Sequence, residues 1–228
     1  MKRAFLSKSN VLSVAIATLV SASVAAEGLN QSGFNVGVTA GGTLGQSNFD
    51  LNNWEGSGEG EHNVSEWAAL GGAQLGYRHF LNNGFMLGIE ADYQGSTYDV
   101  TDENQPYEDA DIGQEITHIV TARIKAGKLI TDDTLAYITG GYAYTRGDVL
   151  LKDETGHTDN TDGTDSHGWV AGLGVEHSIN NNFSIKGEYL YLKTYGKADT
   201  YFVSEGEGYH SDVNFISNIF RIGINYNF

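Results

Sequence analysis

His177–Ser178 joins the side-chain types of a general base and a nucleophile. Adjacent residues of an extended segment point to opposite faces, so these two cannot converge on one substrate there. His177 instead falls near the end of an alternating segment, where it marks a boundary. His62, His79, His118, His157, His167 and His210 show no fixed ligand spacing, and there is no cysteine to add a thiolate. Asp159, Asp162 and Asp165 recur at every third residue, whereas a calcium loop places its ligands at alternate residues. No catalytic, cofactor or metal site is expected from these patterns. What remains is a set of charges of both signs in the middle of apolar, alternating segments: Glu90, Arg123, Lys125, Glu176, Lys186, Glu188 and Arg221. They share their parity with glycines 72, 76, 88, 127, 172, 174 and 223, which leave room for long side chains. Their chemistry is ionic pairing, because charges withdrawn from water must pair or carry a desolvation cost.

The elements that would hold these charges follow from a period of two. The last stretch, VNFISNIFRIGINYNF from Val213 to Phe228, puts Phe228, Tyr226, Ile224, Ile222, Phe220 and Ile216 on one face, interrupted only by Asn218. Asn227, Asn225, Gly223, Arg221, Ile219 and Ser217 take the other. An open apolar edge strand at a terminus invites aggregation, and pairing it with the first strand of a closed barrel removes the edge. Seven earlier segments alternate in the same way. They start with Phe34–Ala40, Trp67–His79, Phe85–Gln94 and Ile116–Leu129, and continue with Leu135–Arg146, Trp169–Glu176 and Phe183–Tyr191. In the fifth, Leu135, Tyr137, Thr139, Gly141 and Ala143 are expected to face outward and Tyr142 and Tyr144 inward. Short turns at Leu81–Gly84, Thr131–Thr134 and Asn180–Asn182 alternate with long polar stretches at 46–66, 98–115, 147–166 and 196–211. Those four stretches hold 21 of the 29 acidic residues, so they read as solvated outer loops.

Composition limits the function classes. In 228 residues there are 30 glycines and a single proline, Pro106. Met1–Ala26 has a basic start (Lys2, Arg3, Lys8), a short apolar run and a small-residue site at Val24–Ala25–Ala26, which predicts a cleaved secretory leader over 1–26 and one domain over 27–228. The leader carries no acid, leaving ten basic against 29 acidic residues. Nucleic acid is therefore excluded as a partner, since phosphate binding needs clustered Lys and Arg. A lipocalin-type soluble barrel would turn the apolar face inward and leave the mid-strand charges outside without a reason.

The fold class expected is all-β: an eight-stranded antiparallel up-and-down transmembrane β-barrel with four long extracellular loops and short periplasmic turns. LGIEADY (Leu87–Tyr93), TARIKAG (Thr121–Gly127), AYITGGYAY (Ala136–Tyr144), GLGVEHSI (Gly172–Ile179), SIKGEYLYL (Ser184–Leu192) and the terminal NYNF carry a resemblance. Through them the chain resembles the small porin-like outer-membrane β-barrel family of opacity and immunogenic surface-antigen type. It is similar as well to the membrane domain of outer-membrane protein A. The resemblance implies residence in the outer membrane among its lipid and lipopolysaccharide, insertion by the barrel-assembly machinery, and a monomer with a structural or surface-interaction role. A narrow pore for small solutes is the alternative. It also implies an interior salt-bridge network centred on Glu90, Lys125, Glu176 and Lys186, and an assembly signal at Tyr226 and Phe228. Tyr189 and Tyr191 then belong to an aromatic girdle at the membrane boundary. A host or surface ligand is expected to meet the acidic loops.

Overall fold

The computed structural model describes residues 31–50, 62–102, 110–153, 158–201 and 208–228. Eight strands, β1 (Gly33–Asp50), β2 (His62–Phe80), β3 (Phe85–Asp102), β4 (Ala110–Thr131), β5 (Thr134–Asp153), β6 (Thr158–Ser178), β7 (Phe183–Tyr201) and β8 (Gly208–Asn227), close into one barrel in chain order. Every pairing is antiparallel, and β8 returns to β1 through pairs such as Val36 with Tyr226 and Ala40 with Ile222. One row of partners runs Asn35–Gly76–Glu90–Arg123–Gly141–Val170–Leu192–Ser217 and re-enters β1 at Gly45, ten residues beyond its start. With ordinary strand rise and spacing, that stagger over eight strands tilts them by about 40° and sets the backbone roughly 8 Å from the axis. Such an interior has room for side chains and little else.

The short turns use the residues their geometry requires. Gly84, at φ 76°, takes the left-handed position that closes the Leu81–Phe85 turn, and its N–H donates to the Leu81 carbonyl at 3.1 Å. Asn180 closes its own turn through Oδ1, which accepts from the N–H groups of Asn182 at 3.0 Å and Phe183 at 2.9 Å. At the seam the Phe228 N–H donates to the Phe34 carbonyl at 3.0 Å, and the Asn227 N–H to the Asn182 carbonyl at 2.7 Å. Both described termini therefore lie at the short-turn end.

Outside, the wall is apolar. Val38, Leu75, Ile89, Ile124, Leu173 and Ile222 are all exposed at mid-height. Aromatic residues border this band: Phe34, Tyr77, Phe85 and Phe183 toward the short turns, and Trp67, Tyr93, Tyr142 and Trp169 toward the other end. An exposed apolar belt between two aromatic rings is the surface a bilayer covers.

Two expectations need correction. In β5 the faces are reversed: Leu135, Tyr137, Thr139 and Ala143 are buried, whereas Ile138 is 67% and Tyr142 50% exposed. Directly paired residues share a face, and Thr139 and Gly141 lie opposite Lys125 and Arg123, which point inward. Tyr137 fits inside because its partners on both sides are glycines, Gly127 and Gly174. The long connections are also shorter than the polar composition implies, since the ladders continue to Asp50, Asp102, Asp153 and Tyr201. Beyond the bilayer both faces of a strand meet water, so an apolar alternation is not needed to extend the pairing. The expected leader at 1–26 and the acidic connections at 51–61, 103–109, 154–157 and 202–207 lie outside the described residues.

Candidate functional site in the barrel lumen

The inward face is stacked in layers. The middle layer is ionic. Glu188 of β7 is its centre: it meets Arg221 at 2.7 Å, Lys186 at 3.0 Å and Arg123 at 3.4 Å, and accepts the Tyr137 hydroxyl at 2.7 Å. Glu90 of β3 is paired with Arg123, with Lys186 at 3.0 Å and with Lys125 at 3.1 Å. Asp92, two residues further along β3, binds Arg123 at 2.8 Å and Arg221 at 3.1 Å, and also accepts from Thr121 and Gln94. Each carboxylate bridges two or more cations, and every one of these side chains is buried. Lys125 further sits 3.9 Å from the centre of the Tyr137 ring, a cation–π contact.

All seven charges singled out in the sequence point into this lumen, but they form two groups. Glu90, Arg123, Lys125, Lys186, Glu188 and Arg221 are joined through the bridges above. Glu176 faces Lys186 in the strand register, yet its carboxylate is held lower down, by Arg78 at 3.2 Å, by Asn225 at 3.0 Å and by Ser184. The centre of the network is thus Glu90, Glu188 and Asp92 with their cations, and Glu176 anchors a second cluster at the short-turn end. Asp92 and Arg78 join the expected charges as members, and Tyr137, expected on the outer face, lies inside. Asp92 and Arg78 have the inward parity, so the signal was present. What parity lacks is the stagger that brings β3 to β8 and β2 to β6 across the axis.

Above the ionic layer lies an apolar one. Leu70, Ile119, Val170, Leu190, Leu192 and Ile219 are buried together across five strands, with Tyr98 and Phe215 edge-to-face at 5.5 Å above them. These positions follow Glu188 along β7 and precede Arg123 and Arg221 along β4 and β8, so the plug occupies the half of the lumen toward the long connections. Below, Met86, Leu135 and Tyr137 make a smaller apolar cluster. The cavity beside Arg78, Met86, Glu90, Lys125 and Glu176 measures about 10 Å³, about the space of a single water. Gly174 makes the packing sensitive: a Cβ there would come within 2.6 Å of the Tyr137 ring and hydroxyl. Gly174→Val should therefore push Tyr137 off Glu188 and lower stability by about 1–3 kcal/mol, as overpacking does, which denaturant titration of the folded barrel would measure.

Of the four residues read as assembly signal and girdle, Tyr226 and Phe228 lie at the short-turn rim, Tyr189 lies opposite Leu173 at mid-wall, and Tyr191 lies one step further toward the long connections. Tyr226 packs edge-on to Phe183 at 5.3 Å and to Phe228 at 4.9 Å, at the short-turn rim. Tyr189 packs on Phe220 at 5.0 Å and donates at 2.7 Å to Asn218, which satisfies the polar residue within the apolar run from Ile216 to Ile224. Tyr191 packs on Trp169 at 5.5 Å. His177 is exposed beside Thr134, 3.0 Å away, at the short-turn end. Among the described residues, no three His, Asp or Glu side chains are arranged to hold a metal ion.

A closed barrel with a lipid-facing belt, two aromatic borders and an occupied interior defines an integral protein of the bacterial outer membrane. The family model of the outer membrane protein beta-barrel domain matches residues 12–228, and the chain belongs to that family. A 31 kDa outer-membrane immunogenic protein of Brucella melitensis is 34% identical over 174 residues, which cover 74% of this chain and 70% of that one. Among solved structures, the outer membrane protein AlkL in lipid bilayers superposes with a TM-score of 0.50 at 12% identity, over 92% of this chain and 96% of that one. The outer membrane protease OmpT of Escherichia coli does so with 0.51 at 11%, over 89% and 98%. At those identities the two structures share the fold alone. The protein therefore resides in the outer membrane, in contact with its lipids.

Proposed function

We propose that this protein is a closed outer-membrane barrel that works through its surface, as an envelope component and surface antigen of adhesive type, and is neither a pore nor an enzyme. The observation that carries this reading is the filled lumen: an ionic layer capped by an apolar plug leaves no aqueous path for a solute. The likeness to an immunogenic outer-membrane protein supports exposure at the cell surface. The high acid content of the long connections supports contact with a host or surface ligand through them. A complete ring of paired strands leaves no edge to share with a second copy, which supports a monomer. Against catalysis, among the described residues no carboxylate is hydrogen-bonded to the imidazole of the Ser32–His79 or Thr134–His177 pair. Planar-bilayer recording of the purified protein tests the reading, and steady channels would overturn it.

Export by a leader over 1–26 and insertion by the barrel-assembly machinery belong to the same proposal. Phe228 and Tyr226 form the aromatic end of the closing strand, with Tyr226 edge-on to both Phe183 and Phe228, and this is the signal proposed for assembly. Deleting Phe228 together with Tyr226→Ser should lower the membrane-inserted fraction severalfold while unfolded protein accumulates in the periplasm. Fractionation with a heat-modifiability assay reads this directly. Insertion at the wild-type level would remove Tyr226 and Phe228 from the signal.

A further inference from the structure

We propose that the short-turn end of the lumen holds a site for one small monovalent anion of the halide type, bound between Arg78 and Lys125. Glycines open the recess. Gly88 of β3 pairs with Arg78 on one side and Lys125 on the other, so the two cations flank a position without a side chain. In the adjoining row Gly76 of β2 stands between Asn35 and Glu90. A Cβ at Gly76 would come within 2.9 Å of the Asn35 amide, and one at Gly88 within 3.3 Å of Met86 Sδ. The cavity beside Gly88 is lined by Asn35, Arg78, Met86, Glu90, Lys125 and Glu176.

The donors around this cavity are under-used. Asn35, Arg78 and Lys125 are each more than nine-tenths buried. A guanidinium carries five N–H donors. Among the described residues that of Arg78 makes a single hydrogen bond, from Nη1 to Glu176 at 3.2 Å. Lys125 gives one N–H to Glu90 at 3.1 Å and sets its ammonium against the Tyr137 ring. Asn35 Oδ1 has no hydrogen-bond partner among the described residues, and a half-turn of the amide puts its N–H groups in the same place. Buried donors left without an acceptor are costly, and three residues bring them to one cavity.

Charge decides between an anion and a neutral acceptor. The buried cations Arg78, Arg123, Lys125, Lys186 and Arg221 outnumber the buried carboxylates Glu90, Asp92, Glu176 and Glu188 by five to four. The surplus falls at Lys125. Among the described residues its one carboxylate partner is Glu90, which is shared with Arg123 and Lys186. Arg123 and Lys186 each reach a second carboxylate in Glu188, and Lys125 does not. A buried charge has to be paired, and an ion from solution supplies the missing partner. The cavity of about 10 Å³ limits that ion to roughly the size of a water. A halide is slightly larger, and Met86 is the flexible wall that yields to it. Glu90 and Glu176 line the far side, already engaged by cations, and confine the anion to Arg78, Lys125 and Asn35. The site lies on the short-turn side of the ionic layer, so it stands or fails separately from closure by the apolar plug.

The test is urea unfolding of the refolded protein in phospholipid micelles, with chloride replaced stepwise by gluconate at constant ionic strength. Gluconate is too large for the recess. As chloride saturates the site, the unfolding constant should fall about tenfold for each tenfold rise in chloride, as one ion released on unfolding requires. Asn35→Asp places a carboxylate in the recess and balances the count, so its unfolding should not respond to chloride. Lys125→Met removes the surplus cation at similar volume and should not respond either. Lys128→Gln, an outward cation at the short-turn rim, should keep the wild-type response. A wild-type unfolding constant that is the same in chloride and gluconate would overturn the proposal, whether or not the variants fold. A wild-type response retained in Asn35→Asp or Lys125→Met would also overturn it, because the effect would then belong to the salt and not to this recess.

Discussion

Replacing Glu188 by Gln should lower the unfolding free energy of the folded barrel by about 3–5 kcal/mol, the cost of leaving buried charge uncompensated. Glu188 accepts from Tyr137 and binds Arg123, Lys186 and Arg221, so one neutral amide removes the common counter-charge of three cations. The volume is unchanged, so no cavity contributes. Five buried cations, Arg78, Arg123, Lys125, Lys186 and Arg221, already face four carboxylates, and the substitution leaves them three. The amide nitrogen would also be turned toward donors, adding an unsatisfied polar group. Urea unfolding of the refolded protein in phospholipid micelles measures the change. Lys128→Gln, on the outer rim, should stay within about 0.5 kcal/mol of wild type. Adding Arg221→Gln to Glu188→Gln should recover part of the loss, because the pair then departs together. A loss below about 1 kcal/mol for Glu188→Gln would show that water screens the layer, and the lumen could not then be closed.

Much of the architecture is legible in the sequence because a bilayer imposes a strict condition on one face only. Outward residues must be apolar at every second position, and seven strands declare this plainly. In β5 the condition is met by both parities. Ala136, Ile138 and Tyr142 serve the lipid face, while Leu135, Tyr137 and Ala143 serve the two apolar layers within. A segment that is apolar on both sides has no phase to read, and only its register against Arg123 and Lys125 fixes the side. The strand ends beyond the membrane were hidden for the complementary reason: with water on both faces, no residue type marks continued pairing.

The lumen was legible as a set of charges and not as a network. Parity states that Glu176 and Lys186 are inside and adjacent, yet they are not partners. Lys186 reaches Glu90 and Glu188, and Glu176 reaches Arg78. Partner choice follows from the ten-residue stagger, which the strand sequences do not encode one at a time. The plug is illegible for a related reason. Ile119, Val170, Leu190 and Ile219 each look like a lapse in a polar face, and only closure stacks them into one layer.

That layering leads to the second large effect, in conduction. Purified wild-type protein should be silent in planar bilayers. An ion crossing the lumen would have to shed its water at the plug formed by Ile119, Val170, Leu190 and Leu192, at a cost that excludes passage without compensating groups. It would then have to enter a layer whose charges are already engaged with one another. Two barriers in series predict that removing either alone changes little. Ile119→Ser with Leu190→Ser hydrates the plug but leaves the ionic layer, and should remain silent. Glu90→Ser with Lys186→Ser removes one charge of each sign and opens space around Glu188, but leaves the plug, and should also remain silent. All four substitutions together should give discrete channels. The lumen would then retain Arg78, Arg123, Lys125 and Arg221 against Asp92, Glu176 and Glu188, so the channels should prefer anions weakly. Conduction by either double variant would place the whole barrier in the layer that variant removes. Steady channels from the wild-type protein would mean that the ionic layer lines a pore and does not seal it.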